Sequence, residues 1–137
     1  MREGTIATQK GRSTGSNRQE RATGTANRHQ PRIAVLVDGG SAAASEIVAS
    51  ALRVHAGALV VGQRTYGHGS VQTIMPLQNG AAIKLTTGRW YDAADVLLEG
   101  NGLRPDVELP TPPDKLLAGV EDPWIDRAVE LLRSQRH

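Results

Sequence analysis

Serine, histidine and aspartate side chains recur in two short Gly-containing stretches, Asp38-Gly39-Gly40-Ser41-Ala42-Ala43-Ala44-Ser45-Glu46 and Thr65-Tyr66-Gly67-His68-Gly69-Ser70-Val71-Gln72. A serine oxygen becomes a nucleophile when a base takes its proton, and histidine titrates near neutral pH. Ser41 with His68, and Asp38 as a third member, therefore have the residue types for acyl transfer. Cysteine is absent, which excludes a thiolate nucleophile and disulfides. Zinc through His55 and His68 lacks a third ligand at a sensible spacing, so the expectation is no metal and no cofactor.

Each stretch follows a run of aliphatic residues. Ile33-Ala34-Val35-Leu36-Val37 and Ala58-Leu59-Val60-Val61 read as strands covered on both faces. Between them a helix is expected from Ser41 to about His55, with Ile47, Val48, Ala51, Leu52 and Val54 as its apolar stripe. Ser41 is the expected N-cap, although Ala44 stands where a capping box has Glu or Gln. Strand, helix and strand of these lengths make a βαβ unit, which implies parallel pairing and a right-handed crossover. The first stretch then sits at a strand's carboxyl end and a helix's N-terminus, where backbone N–H groups are unpaired and the dipole is positive.

After the second stretch, Val71 to Leu77 and Ala81 to Thr87 flank Gln78-Asn79-Gly80, a hairpin pattern, and Arg89-Trp90-Tyr91 prolongs the second arm. Asp106-Val107-Glu108-Leu109 reads as a short edge strand. Asp122-Pro123 opens a last helix with Trp124, Ile125, Ala128, Val129, Leu131 and Leu132 as its apolar positions. The fold class is α/β: a βαβ unit with buried parallel strands, a β-hairpin and a C-terminal helix.

A chain of 137 residues allows one domain. With no Phe, two Trp and two Tyr, its core must be built from Val, Leu, Ile and Ala. Residues 1–30 read as a basic polar arm with one strand over 4–10 and a loop from Gly11 to Gln30. This arm carries a net charge of +4 and the remainder −2. A basic arm can bind nucleic acid, but this one has no aromatic residue for stacking, so a solvated arm is the preferred reading. No apolar run is long enough for a membrane span, and Met-Arg-Glu-Gly-Thr has no apolar core of a signal peptide. Compartment is left open by these features.

The order of landmarks resembles the carboxyl-terminal processing (tail-specific) serine proteases. The run Ile33 to Ala49 is similar to the family's strand leading into Ser-Ala-Ser-Ala-Ser-Glu-Ile, and Ala58 to Gln72 to its strand leading into Phe/Tyr-Gly-Lys-Gly-x-x-Gln. Leu85 to Tyr91 and Gly100 to Asp106 match later landmarks, and Gly4 to Arg12 is a weaker match upstream. The resemblance implies that residues 31–137 are part of a catalytic α/β domain, its C-terminal half, in a family usually found outside the cytoplasm.

Carried over residue by residue, the resemblance places the family nucleophile on Ala43 and the family's lysine base on His68. Gln72 retains the glutamine that helps to position the lysine, and the Ala44 N–H is one oxyanion donor. The other donor belongs to a Gly-rich loop upstream of the matched region. The implied function is an inactive peptide-binding pseudo-protease or a fragment of one. Its expected partners are extended polypeptide C-termini, a partner subunit, or the upstream half of the domain. Two rivals remain: a weakly active serine peptidase using Ser41 and His68, and a structural domain with a nucleic-acid-binding tail.

Overall fold

The computed structural model describes residues 3–24, 31–111 and 122–134. In chain order it forms β1 (Thr5–Gly11), β2 (Arg18–Arg21), β3 (Ala34–Val37), α1 (Ala44–Ala56), β4 (Leu59–Gly62), β5 (Ser70–Pro76), β6 (Ala82–Tyr91), β7 (Val107–Glu108) and α2 (Pro123–Ser134). The strands make two sheets: an antiparallel one in the order β2-β1-β6-β5 and a parallel one in the order β3-β4-β7.

The expected βαβ unit is present, with Ala34 to Val37 in parallel register with Leu59 to Gly62. Helix α1 packs against β4 of the parallel sheet and β1 of the antiparallel one, and so joins the two. Val37, Ala49, Val60 and Leu103 form the buried cluster, with Val35 packed against it. Helix α2 packs against β3 and β4. There Gly62, at φ 131°, leaves room that no side chain could share. A Cβ on it would lie 2.0 Å from the Val37 carbonyl oxygen and 2.9 Å from the Trp124 ring.

Coverage differs between the two expected core strands. Val60 and Val61 on the central strand β4 are fully buried, but β3 is an edge strand, and Leu36 on it is 37% exposed. The stripe expected on α1 is also rearranged. The buried positions are Glu46, Ala49, Ser50 and Ala51, while Val48 and Val54 are exposed. On α2, Trp124 and Ala128 are buried and Ile125 and Val129 exposed, so only part of the expected stripe faces the sheet. Asp122 caps that helix as expected, its Oδ1 accepting the Trp124 N–H at 2.9 Å.

The hairpin β5–β6 forms around Gln78-Asn79-Gly80, with the Leu77 N–H donating to the Ala81 carbonyl at 2.8 Å and Gly80 at φ 80°. Strand β1 occupies Thr5–Gly11, where one strand was expected. The loop reading of Gly11 to Gln30 is corrected over Arg18–Arg21, which pairs antiparallel with β1 as β2. Arg-Gln-Glu-Arg carries no apolar alternation, because this strand is held by backbone pairing at a sheet edge. Residues 25–30 lie outside the described segments.

Candidate active site

Between β3 and α1 the chain makes a tight turn organised by Asp38. Its Oδ1 accepts the Ser41 hydroxyl at 2.8 Å, the Ser41 N–H at 2.8 Å and the Gly40 N–H at 3.0 Å. In return the Asp38 N–H donates to Ser41 Oγ at 3.1 Å. The Ser41 hydroxyl bond holds the Asp38 carboxyl below its ordinary 3.8; partial burial opposes this, and the backbone N–H bonds add to it. Both sides of the Ser41 hydroxyl are therefore engaged by Asp38. Among the described residues it makes no hydrogen bond to His68.

The helix does not start at Ser41. Its N-cap is Ala43, two residues later, in a backbone conformation of φ 54° and ψ −116°. An L-residue at positive φ away from the left-handed helical well is strained, at a cost of about 1–3 kcal/mol, and persists only where its surroundings over-determine it. Alanine also has no side-chain acceptor with which to cap. The restraint comes from the other half of a capping box: the third helical residue, Glu46, reaches back to accept the Ala43 N–H at 2.8 Å.

Glu46 is completely buried, and its carboxyl group is the hub of the site. Oε2 accepts the N–H groups of Ala43, at 2.8 Å, and His68, at 3.0 Å. Oε1 accepts the Gly67 N–H at 2.8 Å and the Thr65 hydroxyl. Four donors on two oxygens fill the acceptor capacity of a carboxyl side chain, so burial leaves no polar atom of it unpaired. Because Ala43 and His68 bond one oxygen, their backbone nitrogens lie no farther apart than those two bonds laid end to end. The two Gly-containing stretches are thereby joined.

The second stretch is fixed by close backbone approach. Thr65 Oγ1 accepts the Leu103 N–H at 2.6 Å while donating to Glu46. A Cβ on Gly67, at φ 85°, would lie 2.7 Å from the Gly102 nitrogen, and one on Gly69 would lie 2.7 Å from the Glu99 nitrogen. Gly69 donates to Glu99 Oε2 at 2.7 Å, and its carbonyl accepts the Trp90 N–H at 2.7 Å. His68 is thus held between two clamped glycines, with its own side chain exposed. Gln72 is exposed on β5, just after a register shift, opposite Thr86. No side-chain hydrogen bond links Gln72 to His68 among the described residues.

The remaining expected residues fall as follows. Ala44 opens α1, and among the described residues its N–H makes no hydrogen bond, as is usual in a first helical turn. The Ser45 hydroxyl donates to the Ala42 carbonyl at 2.7 Å. His55 lies at the other end of α1, its Nε2 2.7 Å from the Thr5 carbonyl oxygen, where it ties the helix to β1. Sequence reasoning missed the structural roles of Glu46, Thr65, Ser50 and Asp92. Ser50 donates to Asp92 Oδ2 at 2.8 Å, and Asp92 Oδ1 accepts the N–H groups of Ala94 and Val96 at 2.9 and 2.8 Å. Glu46 had a local clue in its spacing from Ala43; the Ser50–Asp92 pair had none.

The α/β core thus joins a strained strand-to-helix turn to a glycine-clamped loop through one buried carboxyl group. The model of peptidase family S41 matches residues 1–109, and the chain belongs to that family. It is 46% identical over 84 residues to a carboxy-terminal-processing protease of Bartonella bacilliformis, covering 61% of this chain and 19% of that protein. It is 39% identical over 77 residues to the chloroplastic C-terminal processing peptidase of Tetradesmus obliquus, covering 56% of this chain and 17% of that protein. Among solved structures it resembles the photosystem II D1 C-terminal processing protease, with a TM-score of 0.70 at 31% identity over 80% of this chain and 28% of that one. The chain spans less than a fifth of the length of these two curated relatives. The family match begins at residue 1, so β1 and β2 lie inside it. None of the described helices is long and apolar enough to cross a membrane.

Proposed function

We propose that this chain is a pseudo-protease, or part of one, that holds extended polypeptide C-termini without hydrolysing them. Ala43 takes the place of the serine nucleophile, His68 that of the lysine base, and the Ala44 N–H that of an oxyanion donor. Gln72 keeps the place of the glutamine beside the base. A methyl group has no lone pair with which to attack a carbonyl, so His68 has no proton to remove there.

The observation that carries this reading is the backbone of Ala43. A sharp, strained strand-to-helix turn is how nucleophile elbows expose a serine above a sheet. Here the strained turn is kept and braced by Glu46, while the side chain it would present is a methyl. A frame that remains built without its nucleophile can still bind, because strand-like peptide capture depends on main-chain pairing and side-chain pockets. The relatives whose names state C-terminal processing make polypeptide tails the first ligand class to test.

The test incubates the purified chain with an unstructured polypeptide and follows both binding and cleavage. Saturable binding of the tail with no new termini by mass spectrometry is expected. Cleavage that co-purifies with the chain and is lost in Ser41→Ala would sink the inactive reading, and absence of any binding would sink the capture reading.

A further inference from the structure

Beside the candidate site, the antiparallel sheet carries a hollow of about 360 Å³ lined by Lys10, Arg12, Thr86, Thr87, Arg89 and Tyr91, together with Gly11 and Gly88. The register sets Lys10 of β1 directly opposite Arg89 of β6. Like charges facing each other across antiparallel strands disfavour the sheet, so this pairing works against stability. One acidic group partly offsets it: Asp95 meets Lys10 Nζ at 2.7 Å, and the Lys10 ammonium also lies 4.0 Å from the Tyr91 ring centre. Arg12 and Arg89 make no ion pair among the described residues. Arg12 and Arg89 thus line one concavity with Lys10, whose ammonium is fixed, and Thr86, while the Thr87 hydroxyl is taken up by Thr73 at 2.9 Å.

The hollow also adjoins the candidate active site. Arg89 pairs across the sheet with Ser70, two residues after His68, and Thr86 pairs with Gln72. The register shift between Val71 and Gln72 lies at this edge of the hollow. A chain segment lying over Gln72 and His68 would carry a neighbouring side chain into it.

We propose that this hollow is a subsite for a carboxylate of the bound polypeptide. This rests on the peptide-capture reading and adds a preference for acidic tails. Guanidinium forks match carboxylates in bidentate geometry, which a point charge does not. Nucleic acid fits less well. The one aromatic ring in the lining, Tyr91, already has Lys10 over it and offers no open platform for base stacking. The carboxylate has two sources, an acidic side chain or the polypeptide's own terminus, and both present the same group.

The test uses the full chain and short fluorescent peptides matched in sequence. One has two acidic residues near a free C-terminus, one has their amide counterparts, and one has the acidic residues with an amidated C-terminus. A single-stranded oligonucleotide is the fourth probe. Binding is read by anisotropy against the native chain, Arg12→Gln, Arg89→Gln and the double variant, each first shown to melt like the native chain. The expected result is that the acidic peptides bind about fivefold tighter than the amide one, and that the double variant removes this preference. Loss of the preference on terminal amidation alone assigns the site to the terminus; its persistence assigns it to the side chains. Equal binding of acidic and amide peptides, or a preference that survives the double variant, overturns the subsite while leaving peptide capture standing. No binding of any peptide overturns both. Arginine-dependent binding of the oligonucleotide alone overturns the assignment to polypeptide.

Discussion

Ala43 and His68 donate their backbone N–H groups to the same oxygen, Oε2 of the buried Glu46. A residue at the head of a helix and a residue in a loop 25 positions later are thereby referred to one atom, whatever their side chains are. The geometry of the two stretches is therefore independent of which side chains stand at Ala43 and His68. The frame is written in backbone donors and a carboxyl group.

Glu46→Gln tests that dependence. One oxygen becomes an NH₂ group, which cannot accept, so two donors in the site face another donor. Leaving a buried donor unsatisfied costs about 1–3 kcal/mol, and the loss expected here is about 2–5 kcal/mol. Denaturant unfolding measures it, and amide exchange at Ala43 and His68 should rise together. Exchange at only one of them would mean that the two stretches are not joined through this carboxyl group.

Ala43→Gly addresses the strained turn. Glycine adopts positive φ without the Cβ penalty, while its greater freedom in the unfolded chain costs about 0.5–1 kcal/mol. Relief of about 1–3 kcal/mol of strain outweighs that cost, so a net gain of about 1 kcal/mol and a Tm higher by about 3 °C are expected. A fall in Tm would show that the Ala43 conformation is relaxed. Ala43→Ser, with the same Cβ, should leave stability within about 0.5 kcal/mol.

Much of the architecture was legible because its patterns are local. The aliphatic runs before Asp38 and before Gly62 gave β3 and β4, Asn79-Gly80 gave the hairpin, and Asp122-Pro123 gave the start of α2. What was not legible depends on distant partners. Helix α1 turns Glu46 and Ser50 inward and Val48 outward because Thr65, Gly67, His68 and Asp92 supply polar partners on the inner side. A stripe drawn by hydropathy cannot see those partners. Strand β2 is polar at every position and takes its conformation from pairing with β1. The helix start was misplaced because Ser41 is the better cap by residue type, and yet its hydroxyl is used within the Asp38 turn.

Ser41 is also the serine on which a rearranged peptidase would depend. Its hydroxyl donates to Asp38 and accepts from the Asp38 N–H, and its orientation is set by that turn. A fluorophosphonate probe should therefore give no adduct on Ser41 or Ser45, whose hydroxyl is bonded to the Ala42 carbonyl. Peptide mapping by mass spectrometry reads the outcome. A stoichiometric Ser41 adduct that disappears in His68→Ala would restore the rival reading of a working Ser41–His68 pair.

The same turn gives a pH dependence whose sign is fixed by Asp38. Its carboxyl group is held below 3.8 in the folded chain, chiefly by the Ser41 hydroxyl, so the native state binds a proton there less readily than the unfolded chain does. The stabilisation is therefore fully present above the unfolded value and is lost as pH falls through the folded one. Asp38→Asn removes this contribution. The stability difference between native chain and variant should be constant from neutral pH down to about pH 5 and shrink below 3.8. Because the group is largely open to solvent, the effect is small and is best read directly, as a carboxyl titration by NMR with a midpoint below 3.8 that moves upward in Ser41→Ala. A midpoint unchanged by removing the Ser41 hydroxyl would show that the backbone N–H donors of Gly40 and Ser41 set it, and would leave the Ser41 side chain free to turn toward His68.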